Sequence, residues 1–122
     1  MEFYIRQGAT DPILKLKMID DGRNEKSFVN DLLENSSISF SMNDIKTNKP
    51  VILNDICYLA ARQEKMNQEL KEYCITYRFN ADGTANPGRY EGLVTIEFLD
   101  TDLNITSKLI VPIKEKLFIN VI

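Results

Sequence analysis

Ser37-Ile38-Ser39-Phe40-Ser41-Met42-Asn43 is the stretch that decides the fold. Every second residue is apolar and the residues between are small and polar. Successive side chains leave a β-strand on opposite faces, so this pattern is a strand with one face buried. The same period returns along the chain. Val94, Ile96 and Phe98 alternate with Thr95 and Glu97; Tyr73, Ile75, Tyr77 and Phe79 alternate with Cys74, Thr76 and Arg78; Leu14, Leu16 and Met18 alternate with Lys15 and Lys17. Near the end, Ile105, Ser107, Leu109, Val111 and Ile113 share a face, blurred by Ile110 and Pro112. Pro112 has no N–H for a ladder, which puts that segment at an edge or a bulge. A further strand is expected over residues 51–59.

Turn chemistry separates these runs. Gly8-Ala9-Thr10-Asp11-Pro12, Asp20-Asp21-Gly22, Asn80-Ala81-Asp82-Gly83, Asn86-Pro87-Gly88 and Asp100-Thr101-Asp102-Leu103-Asn104 all read as turns or loops. Helical signals are weak. Residues 63–71 are rich in helix formers, with Met66 and Leu70 four apart, but equally read as a polar excursion between strands; Ser27 is a candidate cap for a short turn of helix over 27–33. Strands at short, regular spacing predict a β-sandwich or a barrel. With 122 residues, 43% of them hydrophobic, no repeats and no linker, one domain spanning 1–122 is expected.

Composition narrows the chemistry. There is no His and no Trp, so the commonest general base and zinc ligand is missing and no relay through an imidazole is available. The paired carboxylates Asp20-Asp21, Asp82, Asp100 and Asp102 sit in turn sequences, where they more often bond their own backbone. Asp100, Asp102 and Asn104 alternate like the start of a calcium loop, but the Gly and the closing Glu are absent at the proper offsets. No phosphate-cradling glycine motif occurs. Catalytic, metal and cofactor residues are therefore assigned to none, and the chain reads as a non-enzyme. A net charge of −3 with dispersed cations argues against nucleic acid. No apolar run approaches the ~20 residues of a membrane span and no secretory signal is visible, so synthesis and folding in a cytoplasm are expected. Cys57 and Cys74 read as reduced, small core residues in preference to a bridge. The tyrosines Tyr4, Tyr58, Tyr73, Tyr77 and Tyr90 read as half-buried sheet residues with the hydroxyl reaching water, ahead of a stacking platform for sugar or base.

Two stretches are more specific. The first is Phe3-Tyr4-Ile5-Arg6-Gln7-Gly8-Ala9-Thr10-Asp11-Pro12-Ile13-Leu14-Lys15-Leu16, followed by Asp20-Asp21-Gly22. The second is Ile75-Thr76-Tyr77-Arg78-Phe79, the loop 80–84, Pro87-Gly88-Arg89-Tyr90-Glu91-Gly92, and Val94-Thr95-Ile96-Glu97-Phe98. Together they resemble the amino-terminal immunoglobulin-like domain of the phage baseplate upper protein family, and the closing run Lys116-Leu117-Phe118-Ile119-Asn120-Val121-Ile122 resembles that family's final strand. Gly8 suits a turn out of the first strand, Pro12 the entry to the second, and Pro87-Gly88 a corner that presents Tyr90. The sequence departs from the family in the order Gly8-Ala9-Thr10-Asp11 and Asp82-Gly83-Thr84, in Phe79 where Trp is common, and in stopping at Ile122 where the family continues into host-recognition modules.

What the resemblance implies is an all-β, immunoglobulin-like antiparallel β-sandwich of about seven to eight strands, serving as a bacteriophage virion structural protein. Its partners would be other virion proteins at a tail, baseplate or neck, in a symmetric homo-oligomer, with neither nucleic acid nor membrane, and its location the virion. Leu117, Phe118, Ile119, Val121 and Ile122 put apolar groups on both faces of a terminal strand, which makes them the candidate interface, the alternative being that both faces are covered within the domain. Two other readings stand beside it: a capsid decoration or head-fibre anchoring protein, and a free-standing module recognising carbohydrate or a cell-surface protein through its loops.

Overall fold

The computed structural model describes residues 1–19, 36–63, 71–100, 105–113 and 115–122. Within them the chain forms nine strands and no helix: β1 (Glu2–Ile5), β2 (Leu14–Ile19), β3 (Ser36–Asp44), β4 (Pro50–Ile56), β5 (Tyr58–Gln63), β6 (Lys71–Tyr77), β7 (Gly88–Asp100), β8 (Ile105–Val111) and β9 (Leu117–Val121). They make two sheets, one ordered β1-β9-β7-β3-β4 with β8 also on β7, the other ordered β2-β6-β5. The fold is an all-β sandwich of two sheets around one core. The expected helix at 27–33 and most of the one at 63–71 fall outside the described residues; Gln63 and Lys71 themselves end β5 and begin β6.

Alternation became architecture where it was cleanest. In β3 the apolar set Ile38, Phe40 and Met42 is buried while the serines between them face outward. β3 pairs with β7 over its whole length, from Ser36 opposite Phe98 to Asp44 opposite Tyr90. β7 is long enough to serve two partners along its other edge, β9 opposite Gly88 to Gly92 and β8 opposite Val94 to Asp100. From the second sheet, Leu14, Ile75 and Tyr77 close the core, and Phe79 follows just beyond β6. Four rings form its centre: Phe40 lies 4.4 Å from Tyr77 and 5.6 Å from Phe79, and Phe79 packs on Tyr77 at 5.0 Å and on Phe3 at 5.7 Å.

Four expectations need correction. First, the sheets are not wholly antiparallel, because β1 pairs parallel with β9. A parallel pair needs a long connection, and here the rest of the chain supplies it. Second, the strand expected over 51–59 is two strands. At Cys57 the chain leaves one sheet and enters the other, β4 pairing with β3 and β5 with β6, which is why nine strands form. Third, Ile113 does not share the face of Leu109 and Val111. Pro112 ends β8, leaving Ile113 exposed beyond it. β8 pairs only with β7 among the described residues, as an edge strand should. Fourth, Tyr77 and Tyr90 do not send their hydroxyls to water. The first donates to Asp55 Oδ2 at 2.6 Å and the second to the Asn86 carbonyl at 2.7 Å.

The connection after β1 is tied down on all sides. Gly8 turns with φ at +75°, its amide donates to the Thr84 carbonyl, and the Thr84 hydroxyl donates back to the Ala9 carbonyl. The Gln7 side-chain amide donates to the Ala85 carbonyl. In the loop that follows Phe79, Asn80 Oδ1 accepts the Gly83 amide at 2.7 Å, so an asparagine rather than the neighbouring Asp82 caps this turn.

Candidate docking surface

The edge of the larger sheet at β4 is irregular for a reason visible in its register. Phe40 pairs with Asp55, but Met42 pairs with Ile52, so β4 uses three steps where β3 uses two; Asn43 then pairs with Pro50, adding another. Leu53 and Asn54 both lie opposite Ser41, and Asn54 takes up the extra length at φ +51°, the left-handed region Asn tolerates better than most residues. The Ser41 hydroxyl accepts the Asn54 amide at 3.0 Å. Such bulges, with a Pro at the strand start, leave the edge a poor template for another strand.

The side chains of this edge are another matter. Ile52 and Cys57 point inward and are buried, while Val51, Leu53, Ile56 and Tyr58 face out, between 42% and 69% exposed. Val51, Leu53 and Ile56 are an apolar row along β4, the edge strand of its sheet, and Tyr58 lies beyond the switch, on β5 of the other sheet. Beside the row runs an open groove of 330 Å³, lined by residues of β4 together with Asn80, Asp82 and Gly83.

Beneath the row, Asp55 joins the two sheets. Its Oδ2 accepts from Tyr77 on the central strand of the second sheet, and its Oδ1 accepts the Ile56 amide at 3.0 Å. Tyr77 is 2% exposed, and burial first, then the bond to Asp55 and the charge beside it, raise its pKa well above 10.0. Cys57 is pushed up to about 12 by burial and then by Asp55. A thiol held neutral is a packing group rather than a nucleophile. Both cysteines are free, Cys57 buried and Cys74 half-buried.

The other sequence-derived candidates sort as follows. Leu117, Ile119 and Val121 are core residues, because β9 lies between β1 and β7 and turns its odd-numbered side chains inward. Phe118 faces out but lies under Arg89, whose guanidinium sits 4.0 Å above the ring and bonds Glu2 at 2.9 Å. Of the five, Ile122 alone is exposed, at 63%. The terminal segment therefore offers little surface, and the row on β4 offers more. The run Val51-Ile52-Leu53 was its signal, masked because the bulges break the period of two. Asp102, Asn104, Asp20 and Asp21 lie outside the described residues. Among those described, no three Asp, Glu or Cys side chains gather as a metal site, and no helix is long and apolar enough to cross a membrane. The exposed tyrosines Tyr4 and Tyr58 lie on different sheets and form no common platform.

No family model and no curated protein matches the chain. Among solved structures it is similar to AggA, the major subunit of aggregative adherence fimbriae type I from Escherichia coli, at 8% identity and a TM-score of 0.39, covering 99% of this chain and 89% of that one.

Proposed function

We propose that this chain is a structural module of a bacteriophage virion, docked on neighbouring virion proteins at a tail, baseplate or neck in several copies. Its mechanism is binding. The observation that carries the docking is the row Val51, Leu53 and Ile56, exposed on the edge strand β4, whose Ile52 is buried. Solvent-facing apolar groups occur singly on any protein, but three on one short edge strand are what an assembly contact would cover. The virion setting rests on the resemblance of residues 3–22 and 75–98 to the phage baseplate upper protein family. The edge lacks the geometry for strand addition, so contact is made by side chains.

The test is incorporation. Wild-type chain and a Leu53→Asp variant are supplied to a phage lacking the gene, and copies per particle are counted by mass spectrometry against the major capsid protein. A few to a few dozen copies for wild type, lost in the variant while the variant stays folded, is the expected result. Copies in the hundreds move the protein to the capsid surface. Equal incorporation of both chains removes the row from the contact, and absence of wild type from particles leaves a recognition module as the better reading.

A further inference from the structure

Two Asp-Gly dipeptides occur in the chain: Asp21-Gly22, which lies outside the described residues, and Asp82-Gly83, in the loop between β6 and β7. An aspartyl side chain followed by glycine can close on its own backbone, because glycine has no Cβ to hinder attack by its amide nitrogen. Asp82 is exposed, so its carboxyl meets water. Gly83, which would supply the nucleophile, is held. Its amide donates to Asn80 Oδ1 at 2.7 Å and to the Asn80 carbonyl at 3.2 Å, and the residue is buried. A Cβ placed on it would come within 3.0 Å of the Ile52 side chain and 3.3 Å of Asn80 Oδ1. The next residue is anchored as well: the Thr84 hydroxyl donates to the Ala9 carbonyl at 2.9 Å, and the Thr84 carbonyl accepts the Gly8 amide at 2.9 Å. A solvent-exposed carboxyl thus stands next to an immobilised nitrogen.

We propose that Asp82 is a latent site of isoaspartate formation, and that Asn80 holds it closed in the folded protein. The Gly83 nitrogen attacks Asp82 Cγ. A C–N bond forms, the carboxyl hydroxyl leaves with the amide proton as water, and a five-membered succinimide remains. Water then opens the ring. Attack at Cγ restores Asp82, whereas attack at the main-chain carbonyl leaves the chain running through Cγ, with one more backbone carbon and a free α-carboxylate. One water leaves and one returns, so the step needs no oxidant and no cofactor. It does need the nitrogen to turn toward the Asp82 side chain and give up its proton. A nitrogen whose hydrogen points at Asn80 Oδ1, in a residue packed on Ile52, does neither until the loop opens. The modification therefore records opening of the loop 80–84. It does not depend on the docking reading, although this loop borders the groove beside β4 and an extra carbon after Asp82 would shift Gly83 against Ile52.

Incubation of the whole chain in mildly acidic buffer, which supplies the protonated carboxyl, followed by peptide mapping that resolves the isomeric peptides, tests this. Chain unfolded in urea should accumulate isoaspartate at position 82, and folded wild type should accumulate it far more slowly. Asn80→Ala should stay folded, since Asn80 is exposed and the loop keeps its Thr84 bonds. It should isomerise about tenfold faster than wild type, the effect of one lost hydrogen bond. Asn80→Asp retains an acceptor oxygen for the Gly83 amide and should stay near the wild-type rate. Gly92→Ala strains the core against Phe40 and Leu117, away from this loop, and should also isomerise at the wild-type rate while folded. That comparison separates local release of Gly83 from general loss of stability. Wild type that isomerises as fast folded as in urea, Asn80→Ala no faster than wild type, or Gly92→Ala as fast as Asn80→Ala overturns the lock at Asn80. No isoaspartate at 82 even in urea overturns the site itself.

Discussion

Replacing Tyr77 by Phe removes one oxygen from the joint between the two sheets and nothing else. The ring keeps its stacking on Phe40 and its edge contact with Phe79. What is lost is the 2.6 Å bond to Asp55 Oδ2, made by a hydroxyl on a residue only 2% exposed. A hydrogen bond to an ionised group contributes ~1.5–3 kcal/mol, so a loss of about 2 kcal/mol is expected at neutral pH, or roughly 5–10 °C in Tm for a domain of this size. The pH profile adds a second readout. Tyr77 holds its proton more tightly folded than unfolded, so its contribution is complete below its ordinary 10.0 and is lost as pH climbs above that, because the unfolded chain ionises first. Cys57, raised from 9.0 to about 12, acts with the same sign from a lower starting point. Each such group steepens the alkaline fall by up to ~1.4 kcal/mol per pH unit. Urea unfolding of wild type and Tyr77→Phe at intervals between neutral pH and pH 11 measures both. The variant should be less stable at neutral pH and fall less steeply above pH 10. Equal stability at neutral pH, or parallel curves throughout the alkaline range, would refute the account of this joint.

Other outcomes follow from single contacts. Gly92→Ala should cost ~1–3 kcal/mol in urea unfolding, since its new Cβ would come within 3.0 Å of Phe40 and 3.2 Å of Leu117 in a full core. Asn54→Val puts a β-branched residue at φ +51° and should lower stability by ~1–2 kcal/mol, whereas Asn54→Gly should be nearly neutral, as read by paired thermal melts. In native protein at pH 8, a thiol reagent followed by peptide mapping should label half-buried Cys74 well before Cys57, and denaturant should abolish the difference.

Where a strand buries one face against the other sheet, its burial was legible residue by residue. Ile38, Phe40, Met42, Ile75, Tyr77, Val94 and Ile96 alternate in the sequence and are buried in the structure. The edge at β4 was not legible, because two extra residues shift the alternation and the pattern of apolar groups stops reporting which face they take. The terminal run was ambiguous between a contact surface and a strand covered on both faces. Apolar residues on both sides of β9 reflect an interior strand whose outward Phe118 is covered by Arg89 from β7.

The sequence by itself determined that the chain is built of strands, as a sandwich or a barrel, which alternating residues form its centre, where the described turns at 8–12 and 80–88 fall and that no imidazole chemistry takes place, because period, turn residues and composition are local quantities. The parallel pairing of β1 with β9, the passage between sheets at Cys57, the division of β7 between two partners and the apolar row on β4 were decided only by tertiary structure. Each depends on which distant segment comes to lie alongside, and such pairing is selected by the packing of the whole core rather than by any one segment's pattern.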